Sequence, residues 1–306
     1  FLPQIDKTYV GLDAEHNGYW QPPAETVAFQ MNFKSSNPGN AEAFNDMTFR
    51  RAFSLAMDRT AMVDIAGFGY PVVNTHASGL PPRFDSWRNK AAEGAQDEWL
   101  AYDIDKANKL LDDAGYKKDG EGFRTTPSGK PIAFPIIVPN GWTDWIDAVQ
   151  IAAEGLRKIG VNASVATPEY EQWQKQILDG SFEAVMNSRA DGPTPFRGYF
   201  QSLSTGFGGR ITSAPSRYSN PDLDKVFDDY RRAATDEERK KLFDQVQVIV
   251  ADNLPVVPVF NGPTWYQFST KRFTGWVTKD EPVMNPEDHD NNRMRLVHLL
   301  RLKPVQ

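Results

Sequence analysis

The residues best suited to do chemistry in this chain are aromatic and amide rather than nucleophilic. In Asn140-Gly-Trp-Thr-Asp-Trp145 two tryptophans alternate with polar side chains, directly after an apolar run. Flat indole faces suit the C–H faces of sugar rings, while Asn140 and Asp144 suit the hydroxyls around them. Trp142 and Trp145 therefore head the candidate ligand contacts, against the simpler reading that one of them covers a helix end. A second candidate segment is Asn187-Ser-Arg-Ala-Asp-Gly-Pro-Thr-Pro-Phe-Arg-Gly-Tyr199. Here Asn187, Arg189 and Asp191 offer hydrogen bonds and charge, or else Arg189 and Asp191 form a structural ion pair.

Catalytic constellations are not marked. There is no G-x-S-x-G elbow and no G-x-x-x-x-G-K-[ST] phosphate loop. Gly206-Phe-Gly-Gly-Arg-Ile lacks the last glycine of a dinucleotide fingerprint. His16, His76, His289 and His298 show no metal-ligand spacing. Asp288-His-Asp-Asn-Asn292 begins like a calcium loop, but Arg293 replaces the turn glycine and Leu299 the bidentate glutamate. A glycoside hydrolase is the rival from another class, yet no carboxylate pair is marked for it. We therefore expect no enzyme, no metal and no cofactor.

Net charge −6 gives no basic footprint for nucleic acid. No apolar stretch approaches a membrane span, and the absence of cysteine excludes disulfides and thiolate metal sites. Phe1 opens the chain without the basic end or apolar core of a signal peptide, so the reading is of a processed or cut chain.

The elements that must position these residues alternate helical patterns with short apolar runs, which predicts an α/β fold. Strands are expected at 26–32, 131–138, 161–167, 182–186 and 254–260. Asn45–Asp46 and Asp103 stand as N-caps, Thr235 and Glu238 as a capping box, and Gly115 and Gly160 as helix stops. A helix carries Val149, Ala152, Ala153, Leu156 and Ile159 on one face, and 170–179 forms another. Trp173 reads as core, Trp87 and Trp99 as a surface element, and one of Trp20, Trp265 and Trp276 as facing a cleft. After Gly262 the pattern predicts turns and a short apolar run around Leu296–Leu302.

Four segments in order carry a resemblance to a known family. They are Phe44-Asn-Asp-Met-Thr-Phe-Arg-Arg-Ala-Phe-Ser-Leu-Ala-Met-Asp-Arg59; Tyr102-Asp103 through Ala114-Gly115-Tyr116 to Gly129-Lys130-Pro131; Leu156-Arg-Lys-Ile-Gly160 with Trp173 and Gly180-Ser-Phe-Glu; and Tyr218-Ser-Asn-Pro221 with Gln245 and Leu254-Pro-Val-Val-Pro258. Together they resemble the bacterial extracellular solute-binding proteins of family 5, receptors of ABC transporters for peptides, nickel and oligosaccharides. IDKTYVGLDAEHNGYWQPP and the 140–145 loop are similar to cellobiose- and β-glucoside-binding members.

The resemblance implies a type II periplasmic-binding-protein lobe, a mixed sheet flanked by helices, plus remnants of the other lobe. It implies the C-terminal half of such a receptor: residues 1–32 a first-lobe segment with crossover strand, 33–266 the second ligand-binding lobe, 267–306 the return. It further implies capture of an oligosaccharide between two lobes, or alternatively an oligopeptide, and delivery to an inner-membrane ABC permease. The expected setting is periplasmic or extracellular, with or without a membrane tether, as a monomer. In peptide-binding relatives an aspartate at the place of Asp191 pairs with the ligand amine; Arg189 beside it would oppose a cation and favours a neutral ligand.

Overall fold

The computed structural model describes residues 2–90, 96–189, 192, 194–283, 286 and 292–305. In chain order the elements are α1 (Leu2–Thr8), β1 (Asn17–Trp20), β2 (Pro23–Met31), α2 (Pro38–Asn45), α3 (Met47–Leu55), the single turn α4 (Arg59–Ala61) and β3 (Val72–Val73). Then follow α5 (Ile104–Asp113), β4 (Ala133–Ile137), α6 (Thr143–Lys158), β5 (Asn162–Ala166), α7 (Tyr170–Asp179), β6 (Ala184–Arg189) and α8 (Phe196–Leu203). The last are α9 (Pro221–Arg232), α10 (Asp236–Asn253), β7 (Val257–Pro263), β8 (Tyr266–Ser269), β9 (Phe273–Thr274), α11 (Asn292–Arg301) and β10 (Lys303–Pro304). They fall into two compact units, one of residues 25–261 and one of residues 1–24 with 262–306.

The larger unit is built on a six-stranded sheet in the order β3-β7-β2-β6-β4-β5. β4 runs parallel to β5 and to β6, whereas β2 pairs antiparallel with β6 over Thr26↔Arg189 to Met31↔Ala184. Alternation along β2 turns Val27, Phe29 and Met31 into one core and Ala28 into another. The first core packs helices α3, α5 and α6 on the sheet through Phe49, Phe53, Leu111, Ala152 and Leu156. The second holds α8, α9 and α10 through Tyr199, Phe227, Phe243 and Val250. A third, smaller core seats α7 through Trp173, Ile177 and Phe182 against Ile137 and Val185.

Helix starts follow local chemistry. Asp46 Oδ1 accepts from Thr48 N at 2.8 Å and Asp103 Oδ1 from Lys106 N at 2.8 Å. Thr235 and Glu238 form the reciprocal capping box of α10. Asn37 and Asn220, each followed by proline at the first helical position, cap α2 and α9. At Gly155 in α6 an added Cβ would stand 2.0 Å from the carbonyl oxygen of Ala56, so only glycine permits this helix approach.

The buried Arg59 ties three distant segments together. Its guanidinium donates to the carbonyls of Pro258 (2.8 Å), Leu100 (2.8 Å) and Ser54 (3.0 Å) and to Ser54 Oγ (2.8 Å). Burial pushes its pKa down to about 9, leaving it cationic at neutral pH.

Three features add to the sequence reading. Residues 196–203 form α8, whose Phe196 stacks on Tyr230 at 3.8 Å. The final apolar run is helical, and Leu296, Leu299 and Leu300 are exposed on it. Trp87 and Trp99, read as a surface element, are half-buried: Trp87 packs edge-on against Phe243, and Trp99 has Arg51 and Lys106 each at 4.5 Å.

The smaller unit has two antiparallel ladders, β1 with β8 and β9 with β10. Tyr9 OH donates to Phe268 O at 2.8 Å, fixing the turn after α1 to this ladder.

Candidate ligand-binding site

The loop after β4 and the loop after β5 leave the sheet at the same edge, because the two strands are parallel neighbours. That is where open α/β sheets present loops to ligands. Backbone bonds join the loops: Val138 N donates to Ala166 O at 3.0 Å and Asn140 N to Pro168 O at 2.8 Å. Gly141, at φ +84°, makes the turn into α6 that a Cβ would strain.

Four rings gather there. Trp142 meets Trp145 edge-on at 5.0 Å and lies over Tyr170 at 5.9 Å with the planes 30° apart. Tyr170 stacks on Trp173 at 5.7 Å, and Trp142 stands 6.1 Å from Trp173. Two rings are buried, Trp145 (8% exposed) and Trp173 (3%), and two are open, Trp142 (36%) and Tyr170 (47%). The buried pair fixes the outer pair, giving a partly exposed aromatic platform.

Its polar rim is close by. Asn140 Nδ2 donates to Glu169 Oε1 at 2.8 Å, and Gln174 Nε2 donates to Tyr170 OH at 3.1 Å. Asn140 and Asp144 are exposed beside the rings. The indole N–H of Trp173 is buried without a hydrogen-bond partner.

Of the predicted residues, the structure brings Asn140, Trp142, Asp144 and Trp145 together. Asn187 and Arg189 stand on β6, which runs parallel to β4 and extends past the Ile137↔Val185 pair towards the same end of the sheet as the 138–142 loop. Asn187 Nδ2 donates to Thr212 O at 2.8 Å. The guanidinium of Arg189 is buried, donates to Gly79 O at 2.5 Å and stacks 3.8 Å over Tyr199. Both side chains are thus engaged within the lobe. Asp191 lies outside the described residues, as does the Asp288–Asn291 stretch weighed for calcium.

Sequence reasoning missed Tyr170 and Glu169. The signal was available: both follow β5 at the start of α7, and Tyr170 precedes Trp173 by three residues, one helical turn. Among the described residues no group of three or more His, Cys, Asp or Glu is placed to hold a metal, and no helix is long and apolar enough to cross a membrane.

Comparison with known proteins gives this geometry a context. The family model for bacterial extracellular solute-binding proteins, family 5 Middle, matches residues 2–210. Protein XP55 of Streptomyces lividans is 27% identical over 218 residues, covering 70% of this chain and 38% of that protein. Heme-binding protein A of Haemophilus influenzae is 27% identical over 229 residues (71% and 36%), and the periplasmic oligopeptide-binding protein OppA of Salmonella typhimurium 23% over 259 (79% and 41%). The chain thus spans about two fifths of the length of the curated relatives it matches.

Among solved structures, a mannohexaose-bound periplasmic oligopeptide-binding protein of Thermotoga maritima superposes with TM-score 0.78 at 24% identity, covering 99% of this chain and 56% of that one. AppA of Bacillus subtilis, in complex with a nonapeptide, gives 0.71 at 17%, covering 99% and 55%. These likenesses establish the type II periplasmic-binding-protein fold, mixed α/β with helices on both faces of the sheet. With two thirds of its residues matched by the family model, the chain belongs to the bacterial extracellular solute-binding proteins of family 5.

Proposed function

We propose that the chain is part of the substrate-binding component of an ABC uptake transporter, and that it captures a β-linked oligosaccharide of the cellobiose type without turning it over. In this reading residues 33–266 supply one ligand-binding lobe, and residues 1–32 and 267–306 belong to the other. The receptor works outside the cytoplasmic membrane, tethered or free, as a monomer that delivers its ligand to an inner-membrane permease.

The observation that carries the sugar reading is the platform: Trp142 and Tyr170 open to solvent, braced by Trp145 and Trp173, and rimmed by Asn140, Asp144 and Glu169. A pyranose ring with equatorial hydroxyls buries its C–H face on such rings and turns its hydroxyls to amide and carboxylate oxygens. The mannohexaose complex of the Thermotoga maritima protein adds support from outside the chain. Asn187, Arg189 and Asp191 form a second group of candidate contacts, in which the Arg189 guanidinium is held by Tyr199 and Gly79.

A second reading, an oligopeptide ligand, is favoured by the names of several relatives and by the Asp144 and Glu169 carboxylates, which would pair with an amine. Fluorescence titration of the chain and its Trp142→Ala variant with cellobiose and cellotriose tests the sugar reading. A saturable change that weakens at least tenfold in the variant is expected. Equal affinity in both proteins would remove Trp142 from the site.

A further inference from the structure

The smaller unit contains a cavity of 170 Å³ lined by Ile5, Gln21, Trp265, Tyr266 and Gln267. All five residues belong to residues 1–24 and 262–306. The register of the β1–β8 ladder explains how they meet. Trp20 pairs with Tyr266 and Tyr19 with Gln267, and Thr264 N donates to Pro22 O at 3.0 Å, so Gln21 stands opposite Trp265. Strand alternation then puts Gln21, Trp265 and Gln267 on one face of the ladder.

Among the three tryptophans of this unit, Trp265 differs in its surroundings. Trp265 is 49% exposed, whereas Trp20 is half-buried. The indole N–H of Trp276 is directed to the carbonyls of Ser269 (2.8 Å) and Phe273 (2.9 Å). Trp265 alone of the three lines the cavity, and it does so beside two carboxamides. Each carboxamide supplies one acceptor and two donor hydrogens, and neither carries charge. The remaining polar group is the phenol of Tyr266, whose pKa burial pushes up to about 12, so it stays neutral.

We infer that the Trp265–Gln21–Gln267 cavity is a second saccharide subsite, taking one neutral sugar ring by stacking on Trp265 and hydrogen bonding to the two glutamine amides. The inference rests on the sugar reading of the preceding section and extends it to a residue set separate from the Trp142 platform. The chemistry favours a neutral occupant: among the described residues the wall has no carboxylate for an amine and no cation for an acid. The volume fits as well. At 170 Å³ it falls below the roughly 300–1,000 Å³ of a drug-sized ligand pocket, the scale of one ring rather than a longer chain. Carboxamides that exchange hydrogen bonds with hydroxyls discriminate sharply against analogues lacking them, because their own polar atoms would be left unpaired.

The test is a two-dimensional ¹H–¹⁵N titration of the 306-residue chain with methyl β-glucoside and with cellobiose. It follows the Trp265 indole N–H and the Gln21 and Gln267 side-chain amides, in the unaltered protein and in the Trp142→Ala variant. Saturable shifts of these three signals that persist in Trp142→Ala, and that fall at least fivefold in apparent affinity in Gln267→Leu, are the expected result. Sugar-dependent shifts confined to Trp145 and the Tyr170 backbone, with the Trp265 and glutamine signals still, would overturn the second subsite while leaving the sugar reading intact. Silence of both groups towards sugars would sink the reading and the subsite together.

Discussion

Gly155→Ala puts one methyl group where α6 touches the end of α3. The new Cβ would lie 2.0 Å from Ala56 O and 3.2 Å from its carbonyl carbon, where a relaxed carbon–oxygen contact needs about 3.3 Å. The obstacle is backbone, so no side-chain rotation relieves it, and the helix must retreat by about 1 Å. Overpacking of this kind costs about 1–3 kcal/mol, while alanine returns about 1 kcal/mol in helix propensity. We expect a net loss of up to about 2 kcal/mol, or up to roughly 8 °C in melting temperature. Because α6 begins at Thr143 and carries Trp145, its displacement should also weaken the near-ultraviolet circular dichroism of the edge-on Trp142–Trp145 pair. Thermal denaturation followed at both wavelengths reads the two effects. A variant that melts at or above the parent temperature, with an unchanged aromatic spectrum, would refute the packing argument.

Two further outcomes concern charge. Arg59→Met should destabilise the chain by about 3–5 kcal/mol in urea unfolding, since it leaves the carbonyls of Pro258, Leu100 and Ser54 without their buried donor; a loss under about 1 kcal/mol would contradict that role. Glu42 accepts from Ser128 and from Lys130 (3.0 Å), and these bonds hold its carboxyl at about 2, below its ordinary 4.5. A depressed carboxyl stabilises the fold above its unfolded pKa, and that contribution fades as pH falls from about 4.5 through about 2. Carbon-detected titration should give Glu42 a midpoint near 2, and Glu42→Gln should flatten the acid limb of stability over that window; a midpoint near 4.5 would be inconsistent with the bonds.

Much of the fold was legible because its punctuation is local. Asp46, Asp103 and the Thr235–Glu238 box act within three residues of themselves, so sequence spacing carried their roles. Pairings between distant residues were not legible: nothing local says that Thr26 faces Arg189, or that β4 and β5 bring Asn140 to Glu169. That is also why the site was half seen. Trp142 and Trp145 advertise themselves in one loop, whereas Tyr170 joins them only through the parallel pairing of two strands. Arg189 was read as a ligand contact or as an ion-pair partner of Asp191, and its bond to Gly79 was hidden because that carbonyl lies 110 residues away in sequence. The stacking of Phe196 on Tyr230 was likewise invisible, because that ring belongs to a later helix.

The most direct test of the central claim is saturation-transfer NMR on the 306-residue chain with cellotriose and a neutral tripeptide present at equal concentration. The sugar reading predicts transfer to cellotriose ring protons, lost in Trp142→Ala, with the peptide signals flat. Transfer to the peptide alone would keep the family and the fold but contradict the oligosaccharide as ligand.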